Sequence, residues 1–191
     1  MRTPSSVWAI IFATIAGFLL ELSAGESEVN RFALWPFQAG FMPWQLVTYA
    51  FLHASTTHLA FNMFGLWMFG RELEHLLGRQ VFLQLYFTSI LSAGLMQLLV
   101  TSLTGSVYPT VGASGGVFGL LLAYGMPFPN RIIMLIFPPV ALPAWLFVTL
   151  YAGIELTLGV TGTQAGVAHF AHLGGMVGGY IVIRRWRRRS R

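Results

Sequence analysis

Six apolar runs follow one another along this chain, and no fold in water could cover them all. A helix needs about 20 apolar residues to cross a bilayer, and within hydrocarbon a helix satisfies its own backbone groups. The runs fall near Val7 to Leu22, His58 to Leu73, Val81 to Thr101, Ser114 to Met126, Pro143 to Val160 and Gly166 to Ile183. Several are shorter than a full crossing, and Pro127 and Pro129 cut off the fourth. Composition agrees: 55% of residues are hydrophobic and 9% charged, against roughly 25% charged in a soluble domain. No linker or internal charge run divides the 191 residues. The expectation is an all-α, polytopic membrane protein of six transmembrane helices. It forms one domain over residues 1–191, ending in a short basic cytoplasmic tail, residues 184–191.

The arginines orient the bundle. Positive charge concentrates in cytoplasmic loops. With the N-terminus inside, Arg2, Arg71, Arg79, Arg131 and the C-terminal cluster all fall on the cytoplasmic side, leaving only Arg31 outside. Both termini are therefore expected in the cytoplasm. The formal charge of +5 comes largely from arginines that directly follow an apolar run, so it reads as a helix end and not as a nucleic-acid surface. A signal peptide with Ala24 as the cleavage position is a competing reading of the first run, but Glu21 interrupts the run and no soluble region follows. The connection from Ser23 to Thr57 carries Phe32, Trp35, Phe37, Phe41, Trp44, Tyr49 and Phe51. Such a loop is expected to lie partly in the outer leaflet, since Trp and Tyr favour the headgroup level.

Absent residue types narrow the chemistry. With no Cys, Asp or Lys, thiol catalysis, aspartyl dyads, Asp-containing triads and Ser/Lys pairs are all excluded. Ionisable groups inside a bilayer are rare and usually face a bundle interior or cavity, which singles out His53, His58, Asn62, Ser114, Glu155, His169 and His172. Taken singly, each is more simply structural: a Ser bonds back to its helix, a His bridges helices. Topology brings some together. The second, fourth and sixth runs all pass from outside to inside, so their beginnings share one depth. His58 and Asn62 are four apart on one face, Ser114 opens the fourth run, and His172 lies about two turns into the sixth.

Small-xxx-small pairs surround both ends of this convergence: Gly112 with Gly116 and Gly115 with Gly119 about Ser114, then Gly174 with Gly178 and Gly175 with Gly179 after His172. Such faces let membrane helices approach closely. Gly175 and Gly179 share the face of His172 and would bring its imidazole toward the serine helix. Packing alone would also account for them. Ser114 is a weak nucleophile until a neutral imidazole takes its proton, and His172 is the expected base, later protonating the leaving amine. With no Asp in the chain and no Glu near either partner in sequence, a two-residue Ser114/His172 dyad is expected, its imidazole oriented by packing or another hydrogen bond. The Asn62 amide, the His58 imidazole and the Ser114 backbone N–H are the expected oxyanion donors.

These residues resemble the rhomboid intramembrane proteases, through His58-Leu59-Ala60-Phe61-Asn62, Gly112-Ala113-Ser114-Gly115 and Ala171-His172-Leu173-Gly174-Gly175. The resemblance extends from about Trp44 to Gly179. It implies a six-helix bundle, cleavage within or beside the transmembrane segments of other membrane proteins, and no cofactor or metal. It assigns Ser114 as nucleophile, His172 as base, and His58 and Asn62 to the oxyanion hole, with His53 supporting and Phe61 in a substrate-access role. Two positions depart from it. Trp44-Gln45 stands where many members have Trp-Arg, which removes an anchoring arginine. Phe118 stands where many have a Tyr packed on the catalytic imidazole, keeping the stack without the hydroxyl.

Substrates should carry Gly, Pro or polar residues near the outer end of a span, because an intact helix hides its carbonyls from attack. Transmembrane proteins and the lipid bilayer are then the expected partners, and a bacterial plasma membrane the expected location. An inactive client-binding relative would not need both Ser114 and His172. A transporter using Glu155 would be expected to show paired broken helices, and no such repeat is visible. A zinc protease would need a His-Glu-x-x-His string or an acidic ligand near His169 and His172, and the sequence offers neither. His169 is expected to bridge helices or contact water.

Overall fold

The computed structural model describes residues 4–25, 29–134, 139–162 and 168–189. Six long helices dominate it: α1 (Ser5–Ser23), α2 (Thr56–Leu77), α3 (Arg79–Thr104), α4 (Ser114–Gly125), α5 (Ala144–Thr161) and α6 (His169–Arg189). The expected runs coincide with them to within a few residues, except that Gly166, the expected start of the sixth, lies outside the described residues. The expected basic tail is helical as far as Arg189, where α6 carries its arginines beyond the apolar part. α1, α3 and α5 are each long and apolar enough to cross a membrane. α2 has Arg71, Glu72, Glu74 and His75 in its last turns, and α4 has only 12 residues. The chain is an integral, polytopic membrane protein.

Two short strands break the helical pattern. Ile132–Met134 and Ala141–Pro143 form a short antiparallel pair, with Ile133 opposite Leu142, in the apolar connection between α4 and α5. Pro129, Pro139 and Pro143 make this stretch a poor helix former, while its β-branched isoleucines suit a strand.

The order of packing follows from side-chain size. α1 lays Val7, Ile10, Ile11 and Phe18 into the core beside α2. Its first turn is capped from the neighbouring helix: Ser6 and Val7 donate their amides to the two carboxylate oxygens of buried Glu74, each at 3.0 Å. This places a negative charge where a helix begins and its amides lack partners. Ser55 caps α2 in the usual way, its hydroxyl accepting from His58 N–H at 3.1 Å. Gly78, with φ of 78°, alone joins α2 to α3.

α4 sits at the centre, contacted by α2, α3, α5 and α6. α6 packs through two glycine faces, one on α4 and one on α3. A Cβ at Gly175 or Gly179 would overlap the carbonyl oxygens of Gly115 and Gly119 in α4, while one at Gly174 or Gly178 would come within 2.8 Å and 2.7 Å of the Ser92 and Thr88 carbonyls in α3. Backbone therefore meets backbone on both sides of α6. Twelve residues of α4 rise about 18 Å, short of the roughly 30 Å of hydrocarbon in a bilayer. The head of α4, where Ser114 lies, thus starts within the apolar layer when its Tyr124 end is level with the ends of its neighbours.

Candidate active site

Ser114 is the first residue of α4, reached through an extended approach that the long first loop pins down. Leu34 and Thr110 exchange backbone hydrogen bonds at 3.0 and 2.9 Å, and Gly112 N–H donates to the Tyr49 carbonyl at 2.9 Å. Tyr49 is itself buried and donates its hydroxyl to the Ile90 carbonyl at 2.8 Å. Gly112 has φ of 125°, a conformation that side chains rarely adopt. A Cβ there would come within 2.9 Å of His58 Nε2 and 3.8 Å of Ser114 Oγ. The missing side chain is what lets the α2 imidazole and the α4 hydroxyl flank one small space.

His172 comes from the opposite side. Its Nε2 lies 2.8 Å from Ser114 Oγ, and its ring stacks on Phe118 at 4.3 Å between centroids with 5° between planes. Phe118 is one turn into α4 from Ser114, so a single helix positions both the hydroxyl and the surface against which the imidazole lies. His172 belongs to the first turn of α6, which begins at His169, and not two turns inside it as the apolar run suggested.

The absence of an acidic neighbour, inferred from the sequence, does not hold in three dimensions. Glu155, buried in α5, brings Oε2 to 2.8 Å from His172 Nδ1 and 2.7 Å from His169 Nδ1. Glu155 lies 17 residues before His172 in the chain, and only the packing of α5 on α6 closes that gap. A signal was available: Glu155 is the sole acidic residue after Glu74, and His169 and His172 share a helix face at a spacing of three. The same contact corrects the argument against a metal, which rested on the lack of a nearby acidic ligand. The donor atoms of Glu155, His169 and His172 all lie within 4.8 Å of one another. These are ligand types that suit zinc, but in this arrangement they bond to each other at hydrogen-bond distance.

The remaining expected residues are distributed unevenly around this centre. Asn62 is buried one turn from His58 and donates one amide hydrogen to the His58 carbonyl at 3.0 Å. His53, in the loop before α2, stands edge-on to His58 at 5.0 Å, and its Nε2 accepts from Ala113 N–H at 3.4 Å. Burial, helped by the neighbouring His58, lowers the His53 imidazole from 6.5 to about 4. A neutral ring is what accepting from an N–H requires. Gly115 packs against Ala93 of α3, where a Cβ would overlap. Phe61 is 70% exposed on the outer face of α2, away from the buried groups.

Gln45, which departs from the Trp-Arg of the resemblance, itself ties the first loop together. It is buried, its Oε1 accepts from Met42 and Trp35 N–H at 3.1 Å each, and its amide donates to the Arg31 carbonyl at 3.2 Å. A neutral amide satisfies three backbone groups of the first loop without burying a charge.

Comparison with known proteins shows the family. A family model described as the Rhomboid domain matches residues 40–189. The chain is 34% identical over 141 residues to "Rhomboid protein 1, mitochondrial" of Saccharomyces cerevisiae, covering 69% of this chain and 38% of that protein. It is 29% identical over 171 residues to the rhomboid protease GluP of Bacillus subtilis, covering 86% of this chain and 31% of the relative. It is also 29% identical over 180 residues to the rhomboid protease GlpG of Yersinia pestis (strain Pestoides F), covering 91% and 60% respectively. The chain thus spans between about a third and three fifths of the length of these relatives.

Proposed function

The chain belongs to the rhomboid family, and on that footing we propose that it is an intramembrane serine endopeptidase that cleaves transmembrane segments of other membrane proteins. The observation that carries this reading is the 2.8 Å approach of His172 Nε2 to Ser114 Oγ at the head of a helix too short to cross the bilayer. Ser114 Oγ attacks the scissile carbonyl carbon while its proton passes to His172 Nε2. The C–N bond then breaks as the imidazolium returns that proton to the departing amine. Water, deprotonated by the same imidazole, attacks the ester, and Oγ leaves with the proton.

Charge develops on the carbonyl oxygen, so donors must already surround it. The Ser114 amide is one of the first in α4, where backbone N–H groups have no acceptor within the helix. His58 Nε2 flanks Gly112 beside it. An Asn amide nitrogen carries two hydrogens, so the bond to the His58 carbonyl leaves one for an oxyanion. Gly112, Gly115, Gly175 and Gly179 support the site by allowing close approach, and Phe118 by stacking on the base. His53 holds the backbone ahead of Ser114. Phe61, on the outer face of α2, is a contact for an arriving substrate.

A substrate helix has to unwind before its carbonyl is open to attack, which favours Gly, Pro or polar residues near the outer end of the span. No cofactor enters this chemistry. The arginine distribution supports a bundle with both termini in the cytoplasm, the lack of an internal linker or charge run supports a single domain, and a bacterial-type plasma membrane is the location we propose. The test is cleavage of a transmembrane reporter by the purified protein in liposomes. Ser114→Ala and His172→Ala should each abolish cleavage while retaining the fold. Full activity in Ser114→Ala would end this reading, and a wild type inert across many reporters would favour a client-binding role instead.

A further inference from the structure

Glu155 is the one acidic side chain buried beside the proposed catalytic pair, and a two-residue mechanism has no use for it. A carboxylate taken out of water needs strong partners, and both of those the structure gives it are imidazoles. We infer that Glu155 is a positioning residue, the third member of a hydrogen-bonded chain Ser114–His172–Glu155, with His169 as the group that holds the carboxylate in place. The inference rests on the serine-protease reading above and adds to it the orientation of the base.

An ionised carboxylate can only accept hydrogen bonds. With Oε2 at 2.8 Å, His172 Nδ1 must carry the ring proton, and the lone pair is left on Nε2, 2.8 Å from Ser114 Oγ. That is the tautomer a general base needs. Without Glu155, Phe118 would still fix the plane of the ring, but stacking cannot distinguish one nitrogen from the other. Once the ring takes the serine proton, the same carboxylate faces an imidazolium in a medium of low dielectric, where the attraction is much stronger than in water.

His169 makes the arrangement specific. It lies one turn before His172, and the two rings stand 6.3 Å apart at 88°, on either side of the shared Oε2. Its Nδ1 donates to Glu155 at 2.7 Å, and its buried Nε2 has no hydrogen-bond partner among the described residues. Among the described residues, the carboxylate is thus the only side chain to which the His169 imidazole hydrogen-bonds, which suits an orienting group and not a second base. Among the described residues, the other titratable group facing the pair is His58 of α2, beside Gly112 and Ser114.

The experiment uses the full chain in liposomes, with kcat and KM for a transmembrane reporter and the pH dependence of kcat/KM for wild type, Glu155→Gln, Glu155→Asp and His169→Phe. Glu155→Gln should lower kcat by about 100-fold or more with KM nearly unchanged, the scale of a general base out of place. The acidic limb of its kcat/KM profile should differ from that of wild type. Glu155→Asp keeps the charge and should recover part of the loss, while His169→Phe should show a smaller drop in kcat in the same direction. A helix-packing role alone would alter thermal stability and leave the acidic limb in place.

Wild-type kcat in Glu155→Gln with an unmoved limb would overturn the inference. Should the variants not fold, imidazole nitrogen NMR on the wild type decides: a proton on Nδ1 of His172 is required, and a proton on Nε2 alone refutes the role. Loss of the serine mechanism is read separately, since Ser114→Ala would then cleave whatever residue 155 is.

Discussion

α6 and α5 are neighbours in the bundle, yet they are held to it by different means. α6 buries Gly174, Gly175, Gly178 and Gly179 together with Ala171 and Met176, so that its backbone is itself the contact surface. α5 buries only Ala144, Phe147 and Glu155 among its described residues and presents Trp145, Leu150, Ile154, Leu156 and Val160 outward. The difference matters because His172 stands where the two helices meet. α6 sets the distance of His172 from Ser114 through backbone contact, which cannot slide without collision. α5 contributes a single carboxylate, whose influence is on the orientation of the ring. Position comes from packing, and protonation from one polar group.

The sharpest way to break this comparison is to add bulk to the α6 seam. Gly175→Val would drive a branched side chain into the α4 backbone at Gly115, and overpacking costs roughly 1–3 kcal/mol and at times more. With backbone as the obstacle, we expect the upper end of that range, a clearly lowered thermal midpoint in detergent and no cleavage. A wild-type midpoint would show that the seam yields more easily than backbone contact implies.

A second effect separates the loop side of the site from the α6 side through pH. His53 holds its proton with a value of about 4 in the fold and 6.5 when unfolded. The unfolded chain therefore binds more protons between those values, and stability should fall as the pH is lowered from about 6.5 toward 4. Unfolding midpoints across that range should show a slope that His53→Gln, which keeps an acceptor for Ala113 N–H, reduces.

Smaller still, Phe118→Leu removes the stack under His172 without touching the glycine seam. An aromatic pair is worth about 0.5–1.5 kcal/mol beyond its buried area, so kcat should fall by up to about tenfold with little change in midpoint. At the low end stands Gly153→Ala in α5, where an added Cβ meets nothing within 4 Å. It should leave cleavage unchanged and stabilise by no more than about 1 kcal/mol. A large loss there would mean that α5 is held more tightly than its exposed surface suggests.

Much of the architecture was legible from one-dimensional patterns. The apolar runs located all six helices, because hydrocarbon leaves a chain few alternatives to the helix. The glycine spacing around Ser114 and His172 marked the faces that meet, since small residues at a spacing of four let membrane helices approach closely. The strand pair Ile132–Met134 and Ala141–Pro143 was not legible, as a short apolar stretch has no period that separates strand from connection. Nor was the cap that Glu74 provides for α1, which joins residues 68 and 67 positions apart.

The membrane setting, the six long helices and the polar side chains that had to be explained were readable in the sequence alone, because burial in lipid penalises each of these locally and residue by residue. Three-dimensional packing was needed to show that Glu155 meets His172 and His169, that Gln45 holds three backbone groups of the first loop and that His172 lies in the first turn of its helix. Those outcomes depend on how helices rotate and shift against one another. Rotation of a few tens of degrees decides whether a buried carboxylate faces an imidazole or a lipid chain, and apolar patterning alone does not specify it.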